Sequence, residues 1–450
     1  MMKKSRWSRW AGIISLVLLL GTAGCTLSLG SNPKPVTLGA APAAAERTPI
    51  FHQGDWIIAR AAMHNHTIYS DGCRTPEDLL ELARRQGMAI LAITDHREGK
   101  ICMGHGLCVN TAGVESKGYD VYYDHLRRVE EQAKQQEMIL LKGVEVVPYF
   151  YNYGKTPHYV IEGVQRHFTV YGIQDPQVFQ QMPARREILS AKPEPIPDQT
   201  PWQKWLDFLV DKGAMVMPVH VEASEDSWKG PIHIAAPAPI RNLYELKHLA
   251  GFSVLPEAWH EKAGGPGGLW DAVLLEYQAG LREKPLWAMG DADYHGPDKS
   301  LARGTTLFYL KEFTEAEVYR GLREGRMIAL QGDAFQNTFV AEWSVADSGK
   351  PADKIMLGQT IVFHGTPVVR FALDHAVPET KVRLVRNGKV VAEQEGSELT
   401  FQDQEIGKQK GLAYYRVEVI GPRAIRKDED DAPTMPESEI FVNPIFVRFE

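Results

Sequence analysis

Residues 62–72 read Ala62-Met63-His64-Asn65-His66-Thr67-Ile68-Tyr69-Ser70-Asp71-Gly72 and begin a series of nine possible metal ligands along the 450-residue chain. The nine are His64, His66, Asp71, His96, Glu145, His158, His220, Asp293 and His295. They are spread over about 230 residues, so they cannot form a local binding loop. Histidine and carboxylate ligands of this kind build metal sites that catalyse hydrolysis. The series therefore predicts a fold in which several strand ends meet at one point.

Apolar runs and helix-like segments alternate between about residues 53 and 335. The segment Thr75-Pro76-Glu77-Asp78 predicts a helix start, because a capping hydroxyl, an early proline and acidic residues all favour the first turn. Continuous apolar runs between helices are typical of parallel strands buried on both faces. Helices are predicted near 77–86, 122–136, 202–212 and 270–282, and strands near 56–62, 88–93, 138–147, 214–219 and 286–289. This rhythm predicts an α/β barrel.

Five of the possible ligands lie at or just beyond the C-terminal ends of these apolar runs: His64, His96, Glu145, His220 and Asp293. In a parallel barrel all strand C-termini open on one face, where active sites lie. Strands that are far apart in sequence are therefore expected to deliver their ligands to one mouth. Residues 97–120 and 222–268 are expected to form that mouth and to set specificity.

The pattern changes after Gln336. Alternating runs appear at 361–373, 381–386, 390–394, 413–420 and 440–449, and no further helix is predicted. The segment Arg386-Asn387-Gly388-Lys389 is a strong hairpin signal. Residues 337–450 are therefore predicted to form a small antiparallel β-sandwich that follows a barrel of residues 53–336.

The N-terminus carries an export signal. Basic residues precede a short apolar run from Ala11 to Leu20, which ends at Gly21-Thr22-Ala23-Gly24-Cys25. Residues 1–25 are predicted to be a lipoprotein signal peptide with a lipid on Cys25; the alternative is an ordinary cleaved signal peptide with an incidental cysteine. Residues 26–52, rich in Pro, Ala and Gly, are predicted to be a flexible tether. The expected location is the outer membrane or cell surface, facing the periplasm or the exterior.

The charge of the chain narrows the classes of molecule that it is expected to bind. The formal net charge of −7 and the absence of a long basic tract argue against a nucleic-acid partner. A small-molecule substrate and, through the lipid, a membrane are the expected partners, and the sequence leaves the oligomeric state open.

Cys102 and Cys108 are near enough in sequence for a small disulfide loop, which export permits.

Four motifs together resemble the polymerase and histidinol phosphatase (PHP) superfamily. They are His64-x-His66-Thr67-x2-Ser70-Asp71-Gly72, Thr94-Asp95-His96, Gly143-x-Glu145 and Asp293-x-His295-Gly296-Pro297. The resemblance covers about residues 53–335. It implies a metal-dependent phosphoesterase on a distorted seven-stranded α/β barrel, a (β/α)7 arrangement, with two or three divalent ions such as Zn, Mn or Fe.

The resemblance also implies how the ligands are shared. His64, His66, Glu145 and Asp293 would hold one ion, and Glu145 would bridge to a second ion. The second ion would be held by His158 and His220, and a third by Asp71, His96 and His295. His158 rests on its distance from Glu145 alone, with His167 as the competing residue, and Asp291 competes with Asp293.

The implied chemistry is metal-assisted hydrolysis centred on Glu145. The group that assists the leaving oxygen is sought among Arg97, His233 and Arg303, for each of which an ordinary surface position is the alternative. Asp95 is a candidate for orienting a neighbouring histidine.

The leading functional hypothesis is a phosphoesterase that acts on a small substrate outside the cytoplasm. The first alternative is hydrolysis of non-phosphate esters, carbamates or amides, as in the exported branch that resembles a carbaryl hydrolase. Nuclease activity ranks below these. An alternative of another class is a surface lipoprotein that binds metal ions or carbohydrate.

Overall fold

A computed structural model describes residues 47–98, 100–103, 107–110, 112–155, 157–192, 199–229, 231–255, 263–296, 300–348, 350–355, 357–363, 365–406, 411–422 and 438–449. The predicted signal peptide, Cys25 and residues 26–46 of the predicted tether lie outside these ranges. In the part that is described, no helix combines the length and apolar character needed to span a membrane.

The structure describes eight helices in the ranges given above, two of which begin at capping hydroxyls. They are α1 (Pro76–Arg85), α2 (Val114–Lys117), α3 (Tyr119–Gln135), α4 (Gln177–Gln181), α5 (Thr200–Asp211), α6 (Asn242–Glu245), α7 (Leu269–Gln278) and α8 (Glu315–Glu324). The hydroxyl of Thr75 accepts from the amide of Asp78, as the cap motif predicts. Helix α8 is capped in the same way by Thr314, and it ends at Gly325 in a left-handed conformation.

The strands of the first part of the chain are β1 (Ile50–Gln53), β2 (Trp56–Ala62), β3 (Ile90–Ile93), β4 (Lys100–Met103), β5 (Leu107–Asn110), β6 (Ile139–Val146), β7 (Tyr149–Lys155), β8 (His158–Glu162), β9 (Phe168–Tyr171), β10 (Arg185–Lys192), β11 (Met215–Pro218), β12 (Glu225–Lys229), β13 (Ile232–Ala236), β14 (Gly251–Leu255), β15 (Trp287–Gly290), β16 (Gly304–Leu310) and β17 (Met327–Gln331). The strands after Gln336 are β18 (Val340–Asp347), β19 (Lys350–Ile355), β20 (Thr360–Phe363), β21 (Pro367–Leu373), β22 (Lys381–Arg386), β23 (Lys389–Glu395), β24 (Glu398–Gln402), β25 (Gly411–Ile420) and β26 (Glu439–Phe449).

One large mixed sheet carries most of the ligand-bearing strands. Its strands follow the order β11-β9-β6-β3-β2-β16-β17-β26-β25-β22-β23. Strands β2, β3 and β6 pair in parallel, as their apolar runs predict. Strand β9 pairs antiparallel with both β6 and β11, so β6 and β11 run in the same direction with an extra strand between them. The C-terminal ends of β3, β6 and β11 therefore lie along one edge.

Strands β14 and β15 pair in parallel as a separate two-stranded sheet. The amide of Ala250, just before β14, donates to the carbonyl of Val216 on β11, and the hydroxyl of Thr306 on β16 donates to the carbonyl of Gly290 on β15. These bonds connect the two-stranded sheet to β11 and to β16 of the large sheet. The arrangement is a mixed α/β fold that departs from the predicted parallel pattern at β9 and at β16 and β17, which pair antiparallel with their neighbours.

A second sheet, which we call the insertion sheet, is built from segments that follow β3, β6, β9 and β11. Its seven strands have the order β12-β13-β8-β7-β10-β4-β5. Both segments expected to form the mouth contribute to this sheet: residues 97–120 contain β4 and β5, and residues 222–268 contain β12 and β13. The side chains of Cys102 and Cys108 are not among those described, so their pairing stays a prediction.

The C-terminal strands form two layers, one of which belongs to the large sheet. Strands β19-β18-β21-β24 make a four-stranded antiparallel sheet. Strand β26 instead pairs with β17, with Ile328 opposite Val442 and Leu330 opposite Ile440. A shared apolar core packs the buried Ile328 together with Trp343. The predicted sandwich is therefore continuous with the preceding fold through this sheet.

Candidate metal centre

The strand ends bring nine histidine and carboxylate residues into one cluster. They are His64, His66, Asp71, His96, Glu145, His167, His220, Asp293 and His295. Three groups within this cluster have ligand atoms that all lie within 4.8 Å of one another. The groups are His64 with His66, Glu145 and Asp293; His66 with Asp71, His96 and His295; and His96 with Glu145 and His167.

Glu145 lies at the centre of the cluster. Its Oε2 is 3.3 Å from Nε2 of His64, 3.2 Å from Nε2 of His66 and 2.9 Å from Nδ1 of His96. Its Oε1 is 2.7 Å from Nδ1 of His167 and 3.2 Å from Nε2 of His220. The two carboxylate oxygens thus face different histidines, which is the arrangement that a bridging ligand requires.

Asp293 and Asp71 extend the cluster on one side. Oδ1 of Asp293 is 3.3 Å from Nε2 of both His64 and His66. Asp71 places Oδ1 3.3 Å from Nε2 of His295 and Oδ2 3.7 Å from Nε2 of His96. The structure therefore brings together eight of the nine residues that the sequence singled out.

His158 is the exception, and the structure corrects its assignment in favour of His167. His158 is exposed at the start of β8 in the insertion sheet, with its ring 5.3 Å from that of His233. His167 directly precedes β9, which runs antiparallel to β6. Because of this reversal, the start of β9 lies beside the end of β6. A position before an antiparallel strand therefore reaches the same edge as positions after parallel strands.

Strained backbone holds several of these ligands. His64, His220 and Asp293 have φ angles of 61°, 32° and 43°, values that non-glycine residues seldom adopt. Such strain persists only where the surrounding structure over-determines it, and it concentrates at functional sites. A Cβ added at Gly72 would lie 2.3 Å from the carbonyl oxygen of His66, so the turn in this loop requires glycine.

Acceptors on the outer side of the cluster set the orientation of His64 and His66. Oδ2 of Asp291 faces Nδ1 of His64 at 3.4 Å, a charge contact without hydrogen-bond geometry, while Nε2 of the same ring faces Glu145. Nδ1 of His66 lies 3.2 Å from the hydroxyl of Ser70, which itself donates to Asp95 at 2.7 Å. Asp95 thus acts on His66 through Ser70. Asp291 contacts His64, which also lies 3.3 Å from Asp293. Such outer partners fix the ring and raise its basicity as a ligand.

Backbone carbonyls orient two further rings. Nε2 of His167 lies 3.1 Å from the carbonyl of Val164, and Nδ1 of His295 lies 3.0 Å from the carbonyl of Asp293. A carbonyl accepts only, so these nitrogens carry the hydrogen in the neutral rings. The opposite nitrogens, which face Glu145 and Asp71, are then free to bind a metal.

The cluster shifts the protonation of its own members. Burial raises the pKa of Glu145, but His96, His64 and His167 lower it by more, so it lies well below its usual value. Burial lowers the pKa of His96, while Glu145 and Asp71 raise it by more, to about 10. Burial likewise lowers the pKa of His295, which Asp293 and Asp71 raise to about 9. Without ions the cluster therefore holds protons that a metal must displace.

Unpartnered buried atoms test whether the residues fit divalent ions. Among the described residues, Nε2 of His64, Nε2 of His66, Oε2 of Glu145, Oδ1 of Asp71 and Nδ1 of His220 are buried without a hydrogen-bond partner. Buried polar atoms rarely remain unsatisfied, and those that do need an explanation. Nitrogen and carboxylate donors of this kind suit Zn, Mn or Fe. Bound ions would satisfy most of these atoms at once, so the residues fit a metal centre.

The two other predicted catalytic residues lie in different surroundings. Nε of Arg97 donates to the hydroxyl of Tyr119 at 2.8 Å, and Nη2 lies 3.6 Å from Glu115. Nε2 of His233 lies 2.5 Å from Asp226, on the insertion sheet. The side-chain contacts described for Arg97 and His233 do not include a member of the cluster. Their catalytic roles stay predictions.

Comparison with known proteins places the chain in a family. The PHP domain model matches residues 62–319, more than half of the sequence. The chain belongs to the PHP domain family. The matched residues include every member of the cluster. Comparison with curated proteins gives no match.

Several solved structures give matches to this chain at low similarity. A two-domain protein from Bacteroides vulgatus that contains a predicted PHP-like metal-dependent phosphoesterase has 14% identity and a TM-score of 0.39, covering 83% of this chain and 94% of its own. A lesion-specific endonuclease from Pyrococcus furiosus has 11% identity and a TM-score of 0.30, covering 59% and 56%. An amidohydrolase from Chromobacterium violaceum has 16% identity and a TM-score of 0.28, covering 59% and 96%. At these scores the likenesses do not bear on function.

Proposed function

We propose that this PHP-family chain is a metal-dependent hydrolase, and specifically a phosphoesterase that acts on a small substrate outside the cytoplasm. The observation that carries the proposal is the cluster around Glu145, in which histidine and carboxylate side chains from six separate segments converge and buried atoms of His64, His66, Asp71, Glu145 and His220 lack hydrogen-bond partners. A binding protein for a single ion needs about four ligands. Nine ligands with a shared carboxylate suit two or three ions.

The positions of the ligands indicate which residues would bind each ion. His64, His66, Glu145 and Asp293 would hold one ion, Glu145 with His167 and His220 a second, and Asp71, His96 and His295 a third. Divalent ions held by these residues would supply a hydroxide at neutral pH and positive charge opposite a phosphoryl group. The protein residues keep the donors in place before the reaction begins: Asp291 faces His64, Ser70 contacts His66, and the surrounding structure holds His64, His220 and Asp293 at positive φ.

Two alternative functions can be compared on the same metal site. Hydrolysis of carboxyl esters, carbamates or amides would use the same ions, and the carbaryl-hydrolase-like branch is the model for it. Phosphate is favoured because several closely spaced ions stabilise the charge of a transferring phosphoryl group best. A metal- or carbohydrate-binding surface lipoprotein is less well supported, because the strained ligands and several shared donors exceed what storage of an ion requires.

The remaining parts of the proposal rest on the sequence. Residues 53–336 form the catalytic unit on a distorted seven-stranded barrel, and residues 337–450 stabilise it. The signal peptide and Cys25 place the protein at a membrane surface as a lipoprotein, so its substrate is periplasmic or extracellular.

Turnover on a substrate panel tests the proposal. Phosphate monoesters, phosphate diesters and carboxyl esters are assayed with manganese, zinc and iron, beside a Glu145→Gln variant. We expect metal-dependent cleavage of at least one phosphate ester, which is lost in Glu145→Gln. Cleavage of carboxyl esters alone would favour the first alternative. Metal binding without turnover on any ester would favour the binding lipoprotein.

A further inference from the structure

The ligands of the metal centre differ in their access to solvent. The side chains of His64, His66 and Glu145 are 0% exposed, and that of Asp293 is 6% exposed. Those of Asp71, His96 and His295 are 8%, 16% and 24% exposed. We call the first four the inner group and the last three the outer group. Solvent and substrate therefore reach the centre most readily at the outer group.

The outer group depends on one short loop. Residues 67–73 carry Asp71, and the amides of Ser70 and Gly72 both donate to the carbonyl of Thr67. The amide of Cys73 donates to the carbonyl of His295 at 3.0 Å. The position of this loop therefore fixes where Asp71 lies and, through the bond from Cys73, where the backbone of His295 lies.

A chain of three side chains ties the same loop to two helices. The hydroxyl of Tyr69 lies 2.9 Å from Nδ1 of His125 on α3, and Nε2 of His125 lies 2.6 Å from Oε1 of Glu77 on α1. The ring of Tyr69 also packs edge-on against Tyr122, at 5.0 Å between centroids. The ammonium group of Lys117 donates to the carbonyl of Ile68. We call Glu77, His125 and Tyr69 the relay.

The relay has one consistent direction when the imidazole is neutral. A carboxylate accepts only, so Nε2–H of His125 donates to Glu77, and Nδ1 accepts from the hydroxyl of Tyr69. Each polar atom then has a partner, and the loop is fixed two residues before Asp71. None of the three residues belongs to the metal cluster, and the proposed reaction does not use them. A bonded chain that ends at the ligand loop is suited to positioning.

We infer that Glu77, His125 and Tyr69 are positioning residues that hold the outer group in place and thereby control how tightly it retains its ion. The inference rests on the proposed metal centre. Most of the inner group is held from outside this loop, because Glu145 and Asp293 lie on other segments and Asp291 faces Nδ1 of His64. Loss of the relay should therefore loosen the outer ion and leave the inner ions in place. Groups that support metal ligands commonly change metal affinity by about 10–100-fold.

Metal release from the full chain tests the inference. The protein is loaded with Mn²⁺ or Co²⁺ and exposed to a chelator, and the retained metal is measured over time by elemental analysis. We expect two phases in the unaltered protein, with the outer ion leaving first. Tyr69→Phe, which keeps the ring against Tyr122, and His125→Ala should each speed the first phase about tenfold without changing the second. The Co²⁺ absorption spectrum should change with the first phase.

His375→Ala is the matched control. His375 is an exposed histidine whose Nδ1 lies 2.9 Å from Asp374, so the variant also removes a histidine–carboxylate pair. It should leave both phases unchanged. A single release phase in the unaltered protein, or unchanged release in a folded Tyr69→Phe variant, would overturn the inference while leaving the hydrolase proposal intact. Failure of the unaltered protein to bind metal would overturn the proposed function and this inference together.

Discussion

A buried ion pair between the first and last parts of the chain joins Arg416 on β25 to Asp271 on α7. Nε and Nη2 of Arg416 each lie 2.7 Å from one oxygen of Asp271, and Nη1 lies 2.6 Å from Glu418. Tyr414 donates to the same carboxylate at 2.7 Å. Arg416 and Asp271 are 0% and 1% exposed. Replacing Arg416 with Met should therefore test how the C-terminal strands stabilise the fold.

The expected loss follows from burial. Removing one partner of a buried ion pair leaves the other charge unpaired, which destabilises by about 3–5 kcal/mol. In Arg416→Met the carboxylate of Asp271 would keep only the hydrogen bonds from Tyr414 and the amide of Gly267. Adding Asp271→Asn should recover part of the loss, because it removes the unpaired charge.

Urea denaturation followed by circular dichroism measures the free energy of unfolding. Arg84→Met is the matched control, because the Arg84 side chain is 51% exposed in its pair with Glu81 and should contribute less than about 1 kcal/mol. Because β17 pairs with β26, we expect both parts of the chain to unfold together. A loss below about 1 kcal/mol in Arg416→Met, or an early transition confined to the C-terminal strands, would refute this reasoning.

Three further predictions address individual residues. His167→Ala should lower metal content and turnover, whereas His158→Ala should leave both unchanged; equal effects in elemental analysis would contradict the reassignment. Burial raises the pKa of Glu130, but neighbouring lysines lower it by more, so its contribution to stability is present above the unfolded value of about 4.3 and is lost as pH falls through the lower folded pKa. Lys142→Met should therefore reduce stability above about pH 4.3 and have little effect in stronger acid, as thermal melts across pH would show. Cys25→Ser should release the protein from the membrane fraction, and unchanged fractionation would count against lipidation.

Strand ends made most of the metal centre predictable. His64, His96 and Glu145 follow or end apolar runs that are parallel strands in the structure. Because the direction of a buried parallel strand fixes where its C-terminal end lies, position along the sequence was enough to group these ligands.

His167 was missed as the preferred ligand because strand direction is decided by pairing between distant segments. Strand β9 is only four residues long, and nothing in Phe168–Tyr171 distinguishes an antiparallel from a parallel partner. The insertion sheet escaped prediction for a similar reason. Its strands come from four separate segments, and their mutual pairing leaves no local signature.

The division near residue 336 shows the same limit. The change from helices to alternating runs is visible in the sequence, and the hairpin at Asn387-Gly388 joins β22 and β23. The pairing of β26 with β17 links residues more than 100 positions apart, with Ala329 opposite Phe441. Both strands are rich in apolar residues and buried on both faces, so their composition indicated burial without indicating a partner.

The metal content of the purified chain is the most direct test of the proposed metal centre. We expect two or three divalent transition-metal ions per chain after metal-replete expression, because the cluster offers nine ligands and several of its buried atoms lack hydrogen-bond partners. Glu145→Gln should keep its secondary structure by circular dichroism and lose at least one ion, since both oxygens of Glu145 face other ligands. Fewer than one equivalent in the unaltered protein, or an undiminished metal content in Glu145→Gln, would show that no multi-metal centre forms around Glu145.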